Sequence, residues 1–340
     1  MMLTRAMLAG AAMAVAIPAD AQSANYDRLF VFGDSLVDAG NAQAGRAASG
    51  GEDPAPAALG YYQGRFSNGY NFADWVSRGV EGQATIASAY GGRNFSVGGA
   101  QTREVSGDAS PSFLEQVEAF RTSGQAFTAD SLVLVTLGGN DIRSELAKVG
   151  ANPRYMPDFT ATLTAMTEGL TSLYTLGARN VVITGLPDVG QIPAVTQFNS
   201  PALSDAGRRM SFGLNTAFDG LTDAFASSTG ANFRFFDFFA YQQAIYADPG
   251  AYGLSDTLDT RTACLLTSGA PACDGYTYFD LVHPTRDIHR VVGAGIARQL
   301  GVNGVPEPAT WALMIMGFGA VAGALRRRGA TDRGATRIAA

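Results

Sequence analysis

Residues Ser131 to Leu137 form an apolar run without alternation, closed by Gly138 and Gly139. A strand with one wet face alternates polar and apolar residues. A run that does not alternate is buried on both faces, as in a parallel sheet covered by helices. Four more short segments read as strands: Arg28–Gly33, Asn94–Val97, Asn180–Thr184 and Asn232–Phe236. Between them, apolar residues recur at helical spacing over Phe72–Val80, Phe113–Phe120, Thr160–Leu176, Ser204–Phe225 and Thr285–Leu300. Residues 42–64, rich in Ala, Gly and Pro, read as a long irregular surface loop. Strands alternating with helices predict an α/β chain: three layers, α/β/α, around a mostly parallel five-stranded sheet. In such a fold the site lies at the carboxyl ends of the strands.

The charged fraction is 16% against 46% hydrophobic, so the 340 residues are globular, with length for one catalytic domain, residues 22–300. The net charge is −6, and the 24 Lys and Arg form no stripe, which argues against a nucleic-acid partner. Met1–Ala21 has the three-part order of an export signal: one positive charge, a twelve-residue apolar run over Ala6–Ile17, then Ala19-Asp20-Ala21 for cleavage. Cys264 and Cys273 lie close together, and in an exported chain such a pair favours a disulfide closing a short loop. Two free thiols are the alternative; a metal site lacks ligands nearby.

Only two histidines occur, His283 and His289. A serine hydrolase needs one imidazole to take the serine proton. His289 falls inside the last helix pattern and reads as a surface or packing residue. His283 follows Asp280 by three residues in a loop, so the carboxylate can orient the ring. Taken alone, that pair is also how a satisfied loop histidine reads. Ser35, in Gly33-Asp34-Ser35, sits just past the first strand but lacks the Gly-x-Ser-x-Gly elbow; alone it is an ordinary turn. Gly98-Gly99 follows the second strand, and Asn140 follows the third, where a backbone N–H and a side-chain amide can meet a developing oxyanion. All of these fall after predicted strands, at one edge of one sheet.

This ordered set resembles the GDSL, or SGNH, hydrolase family over about residues 28–300. Phe30–Asn41, Asn94–Ala100, Gly138–Asp141 and Asp280–Thr285 are similar to its four blocks; Arg65–Gly69 and Gly185–Asp188 are similar to its long plant and bacterial surface-lipase branch. The resemblance implies a flavodoxin-like fold and a serine esterase or lipase that needs no cofactor and no metal. It implies Ser35 as nucleophile, His283 as base and Asp280 as its orienter. The oxyanion hole it implies is Ser35 N–H, Gly99 N–H in preference to Gly98, and Asn140. Two rival readings keep the fold: a polysaccharide O-deacetylase, separated by its release of acetate, and a non-catalytic surface or matrix protein, separated by its silence toward a fluorophosphonate probe. The loop 42–64 and the aromatic stretch Phe233–Tyr246 read equally as acyl-pocket lining or as packing.

Past a linker at 301–304, Val305-Pro306-Glu307-Pro308, a charge-free run over Trp311–Leu325 and Arg326–Arg328 resemble a PEP-CTERM sorting signal over 305–328. At ~1.5 Å per residue, fifteen residues are short for a hydrocarbon core of ~30 Å. The basic cluster would hold residues 329–340 in the cytoplasm. The resemblance implies an exosortase-type processing partner, transient membrane anchoring and delivery to the cell surface or extracellular matrix, where the substrate is a small-molecule, lipid or acylated-glycan ester.

Overall fold

The computed structural model describes residues 25–267 and 272–302. The expected signal segment, 1–21, and the sorting tail, 305–328, lie outside the described residues.

Four parallel strands form the central sheet in the order β1 (Arg28–Gly33), β2 (Ser131–Thr136), β3 (Asn180–Thr184) and β4 (Asn232–Phe236). Each is in register with the next, as in Phe30 opposite Val133, Val133 opposite Val181 and Val181 opposite Phe233. The expected fifth strand, Asn94–Val97, is not a full strand. It lies parallel to β1, its Phe95 and Val97 N–H donating to Val31 O (2.7 Å) and Gly33 O (3.0 Å). Gly98 and Gly99 then turn the chain away before a longer ladder can form. With that segment counted second in the chain, the spatial order is 2-1-3-4-5. That is the doubly wound arrangement whose switch point lies between β1 and β2.

The helices are α1 (Asn41–Ala48), α2 (Phe72–Glu81), α3 (Phe113–Thr122), α4 (Gly139–Ala151), α5 (Thr160–Thr175), α6 (Pro193–Thr196), α7 (Pro201–Thr229), α8 (Phe238–Ala247), α9 (Cys264–Thr267) and α10 (Arg286–Leu300). Successive strand residues point to opposite faces, which makes two cores. Phe30, Phe32, Val133, Val135, Val181 and Ile183 meet α3, α4, α5 and α7. Leu29, Val31, Leu132, Leu134 and Val182 meet α2, α8 and α10. Every residue of β2 is buried, as its sequence requires.

Two helices correct the sequence reading. The loop expected over 42–64 opens with α1, whose first N–H groups are satisfied by Asp38: Asn41 N–H and Ala42 N–H donate to its carboxylate at 2.7 and 3.0 Å. Gly138-Gly139 was expected to end a strand only, but it also starts α4. Gly138 has φ +107°, a left-handed turn, and Gly139 enters the helix. A small parallel pair, β5 (Asp259–Ala263) and β6 (Tyr276–Tyr278), stands beside the main sheet, and the Cys264–Cys273 disulfide links its two arms. Phe233 and Phe236 of the aromatic stretch are core residues, and so is Phe238.

Candidate active site

Ser35 stands at the end of β1, on a turn that uses up most of its own backbone. Asp34 N–H donates to Thr136 O (3.1 Å), Leu36 N–H to Asp34 Oδ1 (2.9 Å), and Val37 and Asp38 N–H to Asp34 O. Ser35 N–H has no protein acceptor among the described residues. Gly33 lets the turn form, because a Cβ there would lie 2.6 Å from Thr136 O. The Gln116 side chain of α3 clamps Gly33 at both its N–H and its C=O, each at 2.8 Å. Burial pushes the Asp34 carboxyl up to about 7, against the opposing Leu36 N–H and His283.

The loop from β6 to α10 brings His283 to Ser35. Ser35 Oγ lies 2.7 Å from His283 Nε2, and His283 Nδ1 lies 2.7 and 2.9 Å from the two oxygens of Asp280. A carboxylate only accepts, so Nδ1 carries the proton and Nε2 accepts from the serine. Asp280 Oδ1 also accepts Val282 N–H (2.8 Å) and His283 N–H (2.7 Å), and Tyr61 OH donates to Oδ2 at 2.8 Å. Burial alone would raise the Asp280 pKa. The charge and hydrogen bonds of His283 outweigh it and hold the carboxyl down at about 2. His289, the other histidine, is a buried packing residue against Phe72, at 5.7 Å between ring centres.

Arg65–Gly69 fastens this loop from across the molecule. Phe66 lies against the His283 ring, at 5.1 Å between ring centres. Ser67 Oγ donates to Pro284 O (2.9 Å), and Asn68 Oδ1 accepts Arg286 N–H (2.8 Å), capping α10 from outside where Thr285 makes no side-chain cap. Arg65 is held by the buried Asp74, at 2.8 Å from Nη2 to Oδ1. A Cβ on Gly98 would lie 2.4 Å from Phe66, so the glycine lets Phe66 approach.

The remaining expected residues are Gly98, Gly99 and Asn140. Gly98 N–H is already engaged by Asp38 Oδ2 at 2.8 Å. Gly99, exposed and at φ +89°, has an N–H with no protein acceptor among the described residues. Asn140, on the first turn of α4, shares a small cavity of about 40 Å³ with Ser35, Leu36 and Val282. One of its Nδ2 hydrogens goes to Ala100 O (2.9 Å), which leaves the second; Arg143 Nη1 donates to its Oδ1 at 3.2 Å. Among the described residues, no three His, Cys, Asp or Glu gather as a metal-binding group. The sequence reading missed Tyr61, Asp38 and the clasp made by Phe66 and Asn68. The Phe66-Ser67-Asn68-Gly69 block was the visible signal for the clasp; Tyr61 carried none.

The chain is similar to known proteins along most of its length. The profile of the GDSL-like lipase/acylhydrolase family matches residues 29–296, and that of the PEP-CTERM protein-sorting motif matches residues 304–328. A GDSL esterase/lipase of Arabidopsis thaliana is 28% identical over 331 residues, covering 78% of this chain and 85% of its own. Another from the same plant is 26% identical over 305 residues, covering 77% and 84%. Among solved structures, a catalytic mutant of an acetylxylan esterase from Geobacillus stearothermophilus superimposes with a TM-score of 0.45 and 13% identity, covering 82% of this chain and 95% of its own.

Proposed function

Because the chain belongs to the GDSL-like lipase/acylhydrolase family and is a serine ester hydrolase, we propose that Ser35, His283 and Asp280 carry its chemistry. His283 Nε2 takes the Ser35 proton as Oγ attacks the ester carbonyl. The proton then passes to the departing alkoxide, leaving an acyl group on Ser35. Water, giving its proton to the same Nε2, hydrolyses the acyl-enzyme and returns the proton to Ser35 Oγ. Asp280 holds the ring in the tautomer that accepts from serine and stabilises the imidazolium. The 2.7 Å contact between Ser35 Oγ and His283 Nε2 carries this reading.

The negative oxygen of each tetrahedral intermediate goes to Ser35 N–H, Gly99 N–H and Asn140 Nδ2. Gly99 is preferred over Gly98 because Asp38 occupies the Gly98 N–H. Loss of one such donor costs roughly a hundredfold to a thousandfold in kcat. Ser35→Ala and His283→Ala should each abolish nearly all hydrolysis of p-nitrophenyl butyrate, a loss of at least about a thousandfold. Full activity in Ser35→Ala would end the assignment.

The sorting motif implies export, a membrane-associated surface location and exosortase processing. The finer reading is ours: residues 1–21 are removed as a signal peptide, Trp311–Leu325 anchors the chain transiently in the inner membrane, and residues 329–340 stay inside until the tail is cut, releasing residues 22–300 to the surface or matrix.

A further inference from the structure

A wide groove opens one helical turn from the Ser35 cavity. It measures about 720 Å³ and lies between the outward half of α4 and the segment 192–209 that makes α6 and the start of α7. Arg143 and Ile192 line both the Ser35 cavity and this groove, so the two spaces share that pair as a common wall. Beyond it the floor is aliphatic: Leu146, Val195 and Ala206 are buried, with Val149 and Leu203 half-buried. Phe198 stands on the rim, 66% exposed. Because α4 starts beside Ser35 and rises ~1.5 Å per residue, its wall from Asn140 to Gly150 extends ~15 Å away from the nucleophile.

We infer that this groove holds the aliphatic acyl chain of the substrate, so the enzyme takes medium- and long-chain acyl esters in preference to acetyl esters. The inference rests on Ser35 being the nucleophile. The groove begins at the wall it shares with the Ser35 cavity, on the α4 side along which a chain attached to Ser35 would run. Its buried floor is aliphatic, and its polar side chains, Arg143, Ser200 and Arg209, stand around that floor, with Ser200 Oγ accepting Leu203 N–H of α7. The chain's own apolar run, Trp311–Leu325, is a poor occupant because Arg326–Arg328 would be carried toward Arg143 and Arg209 on the groove's edge.

The test compares kcat/KM for p-nitrophenyl acetate, butyrate, octanoate and palmitate in the full chain and in two variants, Ala147→Trp and Ala202→Trp. Both side chains are exposed on the groove walls, so the indole fills the groove without entering the core. In the native chain kcat/KM should rise from acetate to octanoate, about fourfold for each methylene seated. Each tryptophan should cut the octanoate-to-acetate ratio at least about tenfold, the worth of about two seated methylenes. A native preference for acetate, or a ratio unchanged in both variants, overturns the inference. Binding of a fluorescent fatty acid to Ser35→Ala protein separates the two claims. If that protein still hydrolyses esters, the nucleophile assignment fails, while a tenfold weaker fluorescence titration on adding Ala147→Trp still supports the groove and an unchanged one rejects it.

Discussion

The Asp280 carboxylate accepts hydrogen bonds from Val282 N–H, His283 N–H, the His283 ring and Tyr61 OH, and of these only Tyr61 reaches it from outside its own loop. Tyr61 also packs edge-on to Phe279, at 5.0 Å between ring centres, so its hydroxyl is aimed by packing. Removing the hydroxyl takes away the one donor among these that ties the carboxylate to structure outside its loop, and costs a bond to a charged group, about 1.5–3 kcal/mol. Tyr61→Phe should therefore lower kcat roughly tenfold or more with little change in KM; unchanged kcat would make Tyr61 mere packing. No spacing pointed to Tyr61, because its partner lies 219 residues away in the chain. His283 was legible because histidines are so few. His289 makes a second residue-level prediction. Burial, with a smaller push from His283, lowers its pKa from 6.5 to about 3. The unfolded chain takes a proton there below pH 6.5 and the folded chain does not, so stability falls as the pH drops from 6.5 toward 3. Asp34, raised to about 7 from 3.8, acts in the opposite sense: its share is full below its unfolded value and is lost as the pH rises through 7. Comparing the native chain with His289→Leu cancels Asp34's share. Between pH 7 and 5 the native chain should lose about 2 kcal/mol more than the variant in urea unfolding; parallel losses would refute it.

At the scale of elements, the catalytic loop is propped by a satellite of structure outside the main sheet. Leu265 N–H donates to Phe279 O at 2.8 Å, and Phe279 N–H to His283 O at 2.8 Å. Cys264, Cys273 and Phe279 form a separate buried cluster with Tyr61 at its edge. The disulfide closes a span of nine residues, which is worth about 2–3 kcal/mol in the chain-entropy view. Reduction should therefore lower the melting temperature by several degrees and depress kcat in the same samples, because Asp280 follows Phe279 directly; a reduced enzyme with native kcat would uncouple the two. The cysteine pairing was open to inference from the sequence, since two cysteines in an exported chain have one partner each. The parallel pair β5–β6 was not, because Asp259–Ala263 and Tyr276–Tyr278 are too short to show a period. α1 and α4 escaped for a different reason. α1 is capped by a carboxylate, Asp38, that lies two residues before its cap residue Gly40, and α4 starts on a left-handed glycine, where pattern reading looks for Ser, Thr or Asp at the cap itself. That matters for the site, since Asn140 owes its position to the first turn of α4.

Over the described residues, the doubly wound order puts Ser35, His283 and Asn140 at one edge and the first and last described residues at the other. Asp27 N–H donates to Asp130 O just before β1 and β2, at the amino ends of the strands. α10 starts beside His283 and, at ~1.5 Å per residue, runs ~22 Å back across the sheet. It ends where Arg234 Nη1 donates to Gln299 O (2.8 Å), and Val302 packs in the same core as Tyr26. The layers, the sheet direction and the strand ends at which Ser35 and His283 meet were legible because period and glycine punctuation are properties of the chain itself. The strand order was not, since it depends on which segments pair. Its consequence is that the described chain ends at Val302, two residues before the sorting motif, on the side away from Ser35. An anchor continuing from that side would not stand between the site and a soluble ester. A chain tagged at residue 22 and again after Ala340 should therefore yield two species, a membrane-bound one with both tags and a released one with the first tag alone. Their kcat/KM on p-nitrophenyl butyrate should agree within about twofold, well under the tenfold that 1.4 kcal/mol would produce. A C-terminal tag retained on every molecule would reject processing, and a large gain in activity on release would place the tail near the active edge after all.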